Sequence, residues 1–237
     1  MSAAPRQLVL DLAPRPALDM EDFLVSAANR EALELVDRWP DWPHWAAIVV
    51  GPEGAGKTHL AHVWQMRSRA VATTGAALGE ATLAAFGASN TMLVEDIDRS
   101  IADERIFFHL LNLARERKGS VLVTSRVAPG DLAIALPDLR SRLKALPVAT
   151  IAPPDDLLLK SVLVKLFADR QLEVEPHVVS YVALRIERSL AAANAVVTEI
   201  DRRALERHRN VTRALAAEVL QDTAVNRAGA PGEDFED

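Results

Sequence analysis

A glycine-rich segment that ends in lysine and threonine constrains this chain more than any other feature. Residues 51–58 read Gly-Pro-Glu-Gly-Ala-Gly-Lys-Thr, which fits the spacing G-x-x-x-x-G-K-[ST] in full. The apolar run Ala46 to Val50 precedes the segment, and a helical pattern from Lys57 to about Arg67 follows it. Glycines let a backbone wrap closely around phosphates, and the N–H groups at a helix start point toward the anion. The segment therefore predicts a phosphate-binding loop between a buried strand and a helix.

This loop predicts a nucleotide site with a magnesium ion. We expect Lys57 to reach the β- and γ-phosphates and the Thr58 hydroxyl to bind Mg²⁺. His59 and His62 have a spacing that can bind zinc, but the chain has no cysteine and no third ligand stands nearby, which favours two ordinary polar residues. The predicted nucleotide-binding residues of the loop are Gly51, Pro52, Glu53, Gly54, Ala55, Gly56, Lys57, Thr58 and His59.

Two carboxylates follow a second buried strand pattern at Thr91 to Val94. A phosphate-binding loop needs a carboxylate at the end of a neighbouring strand to hold the metal. We predict that Glu95 is the carboxylate on the metal side and that Asp96 polarises the attacking water. The alternative interpretation is a helix cap or a solvated acidic turn.

Strand and helix patterns alternate up to Val148, with a third strand at Ser120 to Thr124 and helices at Ala28 to Arg38 and Ile101 to Arg117. This alternation predicts an α/β core with a parallel sheet and helices on both faces. After Pro153 and Pro154 only helical patterns follow. We predict four parts: a flexible arm at 1–20, a nucleotide-binding core at 21–152, a small helical lid domain at 153–221 and a disordered acidic tail at 222–237.

Composition excludes several classes of protein. The chain has no cysteine, which removes disulfide frameworks, thiolate metal sites and thiol catalysis. Its formal net charge is -6, and most of that charge lies in the last twenty residues, so the remaining body is nearly neutral. A whole-surface basic footprint for nucleic acid is therefore absent. Neither a signal peptide nor a membrane-length apolar run is present, which predicts a cytoplasmic protein.

Four segments carry a recognisable combination of motifs: residues 51–60, the acidic Val94–Ile97, the strand Val121–Ser125 and Leu136–Leu143. Together they resemble the AAA+ ATPases of the DnaA clade. The resemblance covers about Phe23 to Leu220 and implies an AAA+ P-loop core, a helical lid and a bound adenine nucleotide, ADP or ATP. The loop is shared by many families, whereas the Leu-Pro-Asp-Leu-x-Ser-Arg-Leu pattern is much more specific.

The resemblance implies roles for two arginines. Arg142 matches the arginine finger of the clade, which stabilises transition-state charge on a phosphate bound by a neighbouring subunit. Arg188 matches the sensor 2 arginine, which touches the phosphates of the chain's own nucleotide. From the residues alone, solvated helix faces also explain both positions, and Arg140 is a second cation beside Arg142.

The arm contains a hexamer at residues 7–12 in which apolar residues alternate. It resembles the short peptide by which replication proteins dock on the sliding clamp, the β subunit of DNA polymerase III. An extended peptide offers a glutamine amide for hydrogen bonds and leucines for an apolar pocket. The alternative is a first strand of the core. The hexamer consists of Gln7, Leu8, Val9, Leu10, Asp11 and Leu12.

Within the clade, the chain most resembles the regulator that inactivates the initiator DnaA. That resemblance implies docking on the clamp and insertion of Arg142 into the ATP site of DnaA. It also implies that the chain itself hydrolyses ATP weakly, and it leaves open whether the chain forms homo-oligomers. The alternatives are a DnaA-related DNA-binding ATPase or helicase loader, and a self-contained ATPase. We expect no sequence-specific DNA-binding domain, because a helix-turn-helix module would need many more residues after the lid.

Two positions depart from the clade. Glu95 stands where aspartate is more common, which keeps the charge and lengthens the reach. Arg126 stands where the clade commonly has an aspartate, next to the end of the third strand, so the sensor 1 residue is not identified. Both departures favour nucleotide binding over hydrolysis by this chain.

Overall fold

The computed structural model describes residues 24–207 and 210–228, and of residues 223–228 only the backbone. The predicted arm, including the hexamer 7–12, lies outside the described residues, as do residues 229–237 of the predicted tail. The last helix runs to Ala228, so residues 222–228, which the sequence assigned to the tail, are helical. In the described part of the chain, the helices are too short or too polar to cross a bilayer.

Within the described residues, a five-stranded sheet forms the centre of the fold. Its strand order is β2-β3-β4-β1-β5, and each strand runs parallel to its neighbours. The predicted α/β fold with a parallel sheet is therefore confirmed. Because β4 lies between β1 and β3, the carboxyl ends of these three strands meet at one edge. The strands are β1 (Ala46–Val50), β2 (Val71–Thr74), β3 (Thr91–Glu95), β4 (Ser120–Ser125) and β5 (Val148–Thr150).

Strand β1 explains why helices cover both faces of the sheet. All five of its residues are buried, and successive side chains point to opposite faces. Ile48 packs with the side of the sheet covered by α3, α4 and α5, whereas Val49 packs with the side covered by α1 and α2. These helices are α1 (Arg30–Asp37), α2 (Lys57–Ser68), α3 (Glu80–Ser89), α4 (Glu104–Arg117) and α5 (Pro137–Lys144).

The remaining four helices pack around a hydrophobic core of their own. One buried residue from each illustrates it: Leu163, Val182, Val197 and Ala216. The Asp155 side chain caps the first of these helices by accepting a hydrogen bond from the N–H of Leu158. The helices are α6 (Asp156–Asp169), α7 (Pro176–Ala183), α8 (Leu190–Arg207) and α9 (Arg213–Ala228).

Candidate functional site

The phosphate-binding loop connects β1 to α2, and its shape requires glycine. Gly54 and Gly56 have φ angles of 71° and 105°, in the left-handed region that side chains rarely adopt. A Cβ atom on Gly54 would overlap the Oγ of Ser189, and one on Gly51 would overlap the carbonyl oxygen of Ile151. The loop therefore has room for the backbone alone at these points.

Lys57 begins α2 and is 7 % exposed. Its Nζ donates hydrogen bonds to the carbonyl oxygens of Gly51 at 2.8 Å and Pro52 at 2.9 Å. Burial lowers the pKa of Lys57, and the negative charges of Asp96 and Asp98 oppose that shift. The amine thus lies folded inside the loop, where an arriving phosphate would replace neutral carbonyl acceptors with charged oxygens.

The two predicted carboxylates lie at the same edge of the sheet. Glu95 ends β3, and its Oε2 is 3.8 Å from Nε2 of His62 on α2. Asp96 follows with φ of 55°, and its N–H donates to Oγ1 of Thr124 at the end of β4. The order of the strands therefore brings Asp96 close to Lys57, as its effect on the pKa of that amine indicates.

A network of ion pairs crosses the mouth of the loop, and no sequence motif points to it directly. Arg126 donates from Nε to Oδ2 of Asp98 at 2.5 Å and from its N–H to Oδ1 at 2.8 Å. Its Nη1 lies 3.7 Å from Oε2 of Glu53 in the loop. Arg99 lies 3.4 Å from the same carboxylate of Glu53 and 3.5 Å from Asp96. Two arginines therefore tie the loop to the segments after β3 and β4.

Asp98 is the buried member of this network, with a side chain 4 % exposed. Burial acts to raise the pKa of Asp98, but the hydrogen bonds from Arg126 outweigh burial and leave that pKa below its ordinary value. Asp98 and Arg99 could have been suspected from the sequence only because they follow β3 within four residues.

The oxygen donors at this edge fit a magnesium ion that arrives with a nucleotide. Mg²⁺ is usually held by one or two carboxylates together with phosphate oxygens and water. The exposed Thr58 hydroxyl and the Glu95 carboxylate supply donors of that kind. Within residues 24–207 and 210–222, no cluster of three or more carboxylate or imidazole side chains could hold a metal by itself. The donor set therefore suits a metal shared with phosphates.

Helix α8 of the second core packs directly on the loop. The N–H of Leu190 donates to the carbonyl oxygen of Gly54 at 2.7 Å, and a Cβ on Gly54 would lie 3.2 Å from Cβ of Ala191. Arg188, the predicted sensor 2 residue, instead donates from Nη2 to Oδ1 of Asp156 at 2.7 Å and is largely exposed. The residues around the start of α8 that touch the loop are uncharged, and the role of Arg188 stays a prediction.

Arg142 lies far from the loop. Its Cζ is 5.7 Å from the ring centroids of both Trp45 and Phe108. Trp45 immediately precedes β1, whose five residues span about 17 Å before the loop begins. The guanidinium is therefore at the end of β1 opposite to the chain's own phosphate-binding loop. A pocket of about 330 Å³ adjoins it, between the face of α5 that carries Asp138 and the ring of Trp45.

No protein-family model matches the chain. Among curated proteins, it is 26 % identical over 232 residues to the chromosomal replication initiator protein DnaA of Cutibacterium acnes, covering 87 % of this chain and 46 % of that protein. It is 28 % identical over 251 aligned positions to DnaA of Thermomicrobium roseum, covering 93 % and 54 %. The chain thus spans about half the length of the curated relatives it matches.

Solved structures show the same fold. Domain III of DnaA from Thermotoga maritima superposes with a TM-score of 0.76 at 19 % identity, over 88 % of this chain and 97 % of that domain. DnaA bound to AMPPCP and single-stranded DNA gives 0.66 at 18 % identity, over 83 % and 69 %. The RuvB Holliday junction branch migration motor of T. maritima gives 0.66 at 16 % identity, over 86 % and 71 %. The fold is that of an AAA+ P-loop domain.

Proposed function

We propose that this chain is a regulator of replication initiation similar to Hda, the DnaA homologue that inactivates the initiator. The homology to DnaA and the fold shared with its domain III support an AAA+ ATPase of the DnaA clade. It binds ADP or ATP, docks on the polymerase sliding clamp and stimulates ATP hydrolysis by DnaA, which converts the initiator to its ADP form. The single observation that carries the proposal is the location of Arg142 at the end of β1 opposite to the chain's own loop.

An arginine in that location can only act on a phosphate held by another subunit. A finger supplied in trans stabilises the charge that develops as the γ-phosphate is transferred. We propose that Arg142 enters the nucleotide site of DnaA in this way, so that the bond is broken in the partner's site. Nothing in this role requires the chain to hydrolyse its own nucleotide.

In the chain's own site, Lys57 and the backbone N–H groups of residues 51–58 would bind the phosphates, and Thr58 with Glu95 would hold Mg²⁺. The metal supplies charge neutralisation between the phosphates when it is bound. Asp96, the residue proposed to orient water, lies 3.5 Å from Arg99. Because the guanidinium competes with water for that carboxylate, this pairing supports slow intrinsic turnover.

Clamp docking rests on the sequence alone. The hexamer 7–12 would bind the clamp as an extended peptide, with the Gln7 amide donating hydrogen bonds and Leu8 filling an apolar pocket. The arm at 1–20, the core at 21–152 and the lid at 153–221 then divide the work between docking, nucleotide binding and closure over the loop. A pull-down with the clamp, comparing the full chain with the double variant Gln7→Ala, Leu8→Ala, tests this step.

The decisive experiment replaces Arg142. ATP-loaded DnaA is mixed with the chain and with clamp loaded on DNA, and conversion of its ATP to ADP is followed. Arg142→Ala should bind nucleotide and clamp normally but lower the stimulated rate by about 10³-fold, the usual worth of a finger. Arg140→Ala is the matched control, because Arg140 donates to the carbonyl oxygen of Ile134 and should leave the rate unchanged. Full stimulation by Arg142→Ala would refute the proposal.

A DNA-binding ATPase of the clade is the second candidate, and one observation favours it. Arg185 and Arg213 both lie against the ring of Tyr181, with Cζ atoms 3.9 Å and 4.7 Å from its centroid. Neither takes part in a carboxylate ion pair among the described side chains, so both could contact backbone phosphates. Salt-dependent binding to DNA without the clamp, lost in the double variant Arg185→Ala, Arg213→Ala, would favour this function over the first.

A further inference from the structure

The finger arginine is held by two aromatic rings rather than by an acid. We infer that Trp45 and Phe108 are positioning residues, which hold the Arg142 guanidinium in place without a carboxylate partner until it meets a phosphate. This inference rests on the proposed function, because it explains how Arg142 is prepared for use in trans.

The two rings come from separate elements and meet at one guanidinium. Trp45 precedes β1 and Phe108 lies on α4, and both centroids are 5.7 Å from Cζ of Arg142. That distance is within the roughly 6 Å over which a cation is attracted to a ring face. Both rings are partly buried against the hydrophobic core of the sheet, so their attraction fixes the guanidinium relative to the core.

Trp45 is itself restrained. The ring of His44 lies 4.9 Å from it at a 44° tilt, and Cζ of Arg115 on α4 lies 5.7 Å from its centroid. The platform under Arg142 is therefore set by contacts that do not involve α5. A side chain placed on such a platform keeps few alternative rotamers, which lowers the entropy lost when it enters a partner's site.

Asp138 is a second possible partner for the Arg142 guanidinium, besides the two rings. It stands four residues before Arg142 on α5 and borders the same pocket, a spacing at which aspartate and arginine commonly pair. The structure nevertheless has no ion pair between these two described residues, and the guanidinium lies on the rings. An ion pair would compensate the charge that a finger must deliver, whereas a ring leaves the charge and the N–H donors available.

Several other arginines in the described part of the chain pair with an acid instead. Each of the following donates to, or pairs with, a carboxylate, as is usual for exposed arginines: Arg99, Arg126, Arg188, Arg202 and Arg207. Arg140, on the same helix as Arg142, donates to a backbone carbonyl. Arg115 on Trp45, and Arg185 and Arg213 on Tyr181, also contact a ring, but Arg142 is the one of these four that lies within about 6 Å of two rings.

Loss of the rings should lower the rate and leave binding alone. Trp45→Leu removes the ring, and Asp138 can then capture the guanidinium. In the DnaA assay we expect the maximal stimulated rate to fall about tenfold, with an unchanged half-saturating concentration, because a contact of this kind is worth roughly that factor. Trp45→Phe should recover most of the rate, since it restores a ring. The double variant Trp45→Leu, Asp138→Asn should recover part of it by removing the competing acid.

The outcomes separate this inference from the proposed function. If Arg142→Ala abolishes stimulation but Trp45→Leu and the second variant Phe108→Leu keep the full rate, the positioning role is wrong and the finger stands. If Arg142→Ala keeps the full rate, both fail together.

A measurement without DnaA adds a check. The NMR resonance of the Arg142 Nε–H, identified by its loss in Arg142→Lys, should be shifted by the ring currents and should return toward the ordinary position in Trp45→Leu. No shift in the unaltered protein would overturn the inference alone.

Discussion

Replacing Gly54 by alanine tests the contact between the phosphate-binding loop and helix α8. Gly54 has a φ of 71°, and a Cβ there would overlap Oγ of Ser189 and lie 3.0 Å from its Cβ. The Ser189 hydroxyl cannot simply rotate away, because it accepts a hydrogen bond from the N–H of Ala192 and so caps α8. The added methyl group therefore meets both a strained backbone and an occupied space.

The structure allows the size of the effect to be worked out. An alanine in the left-handed region costs roughly 1–2 kcal/mol. Displacing the Ser189 side chain removes a helix cap, which costs about 1 kcal/mol more. We expect Gly54→Ala to lower the free energy of unfolding by about 2–3 kcal/mol. Gly87 is the matched control: it lies inside α3, and a Cβ added there would have its closest neighbour at 3.6 Å, so Gly87→Ala should raise that free energy by about 0.5–1 kcal/mol.

Urea unfolding, followed by circular dichroism, measures these changes for Gly54→Ala alone and in a Ser189→Gly background. Without the Ser189 side chain, the backbone strain and the 3.2 Å approach to Cβ of Ala191 remain, so the cost of Gly54→Ala should fall by about 1 kcal/mol. An equal cost in both backgrounds would show that the loop and α8 do not touch as described. A cost near zero for Gly54→Ala would refute the left-handed backbone at that position.

Two further predictions concern charged groups. Arg126→Ala removes the Nε hydrogen bond and the positive charge that compensate the buried Asp98, while the backbone N–H keeps its own bond to that carboxylate. The substitution should cost about 2 kcal/mol in urea unfolding, whereas Arg99→Ala, which breaks exposed ion pairs, should change stability by less than about 1 kcal/mol; equal effects would contradict the buried network. Hydrogen bonds from Arg202 lower the pKa of Glu199 from 4.5 to about 2, so its contribution to stability is complete above pH 4.5 and is lost as the pH falls toward 2. The stability difference between the unaltered protein and Glu199→Gln should therefore shrink between those pH values, and a difference that grows on acidification would contradict the assignment.

The sequence predicted the central strands, whose two faces are both covered by helices. Strand β1 was predicted at its observed bounds, since Ala46–Val50 is an unbroken apolar run. Strand β2 was missed because it lies at the sheet edge with an exposed, threonine-containing pattern. Strand β5 was missed because it has only three residues. Helix α3 was missed because a glycine and a serine interrupt its end and its apolar residues follow no single face.

The site was predictable where one segment makes it and not where distant segments meet. Lys57 and Asp96 follow strand patterns, and the parallel sheet accounts for their proximity. The pairing of Arg126 with Asp98 and Glu53 depends on β4 lying between β1 and β3, and no local spacing reveals that order. The rings beside Arg142 likewise come from two distant parts of the chain.

The opposite placement of Arg142 and the phosphate-binding loop has a consequence for symmetry. Two copies related by a two-fold axis present the same face to each other, so neither could offer a finger while receiving one. A finger-to-loop contact is heterologous, so it builds either a closed ring or an open row with one unlike face free at each end. In an open row, stoichiometry is set by where the row of subunits stops. One copy of this chain at the end of a DnaA row would serve a single nucleotide site at a time.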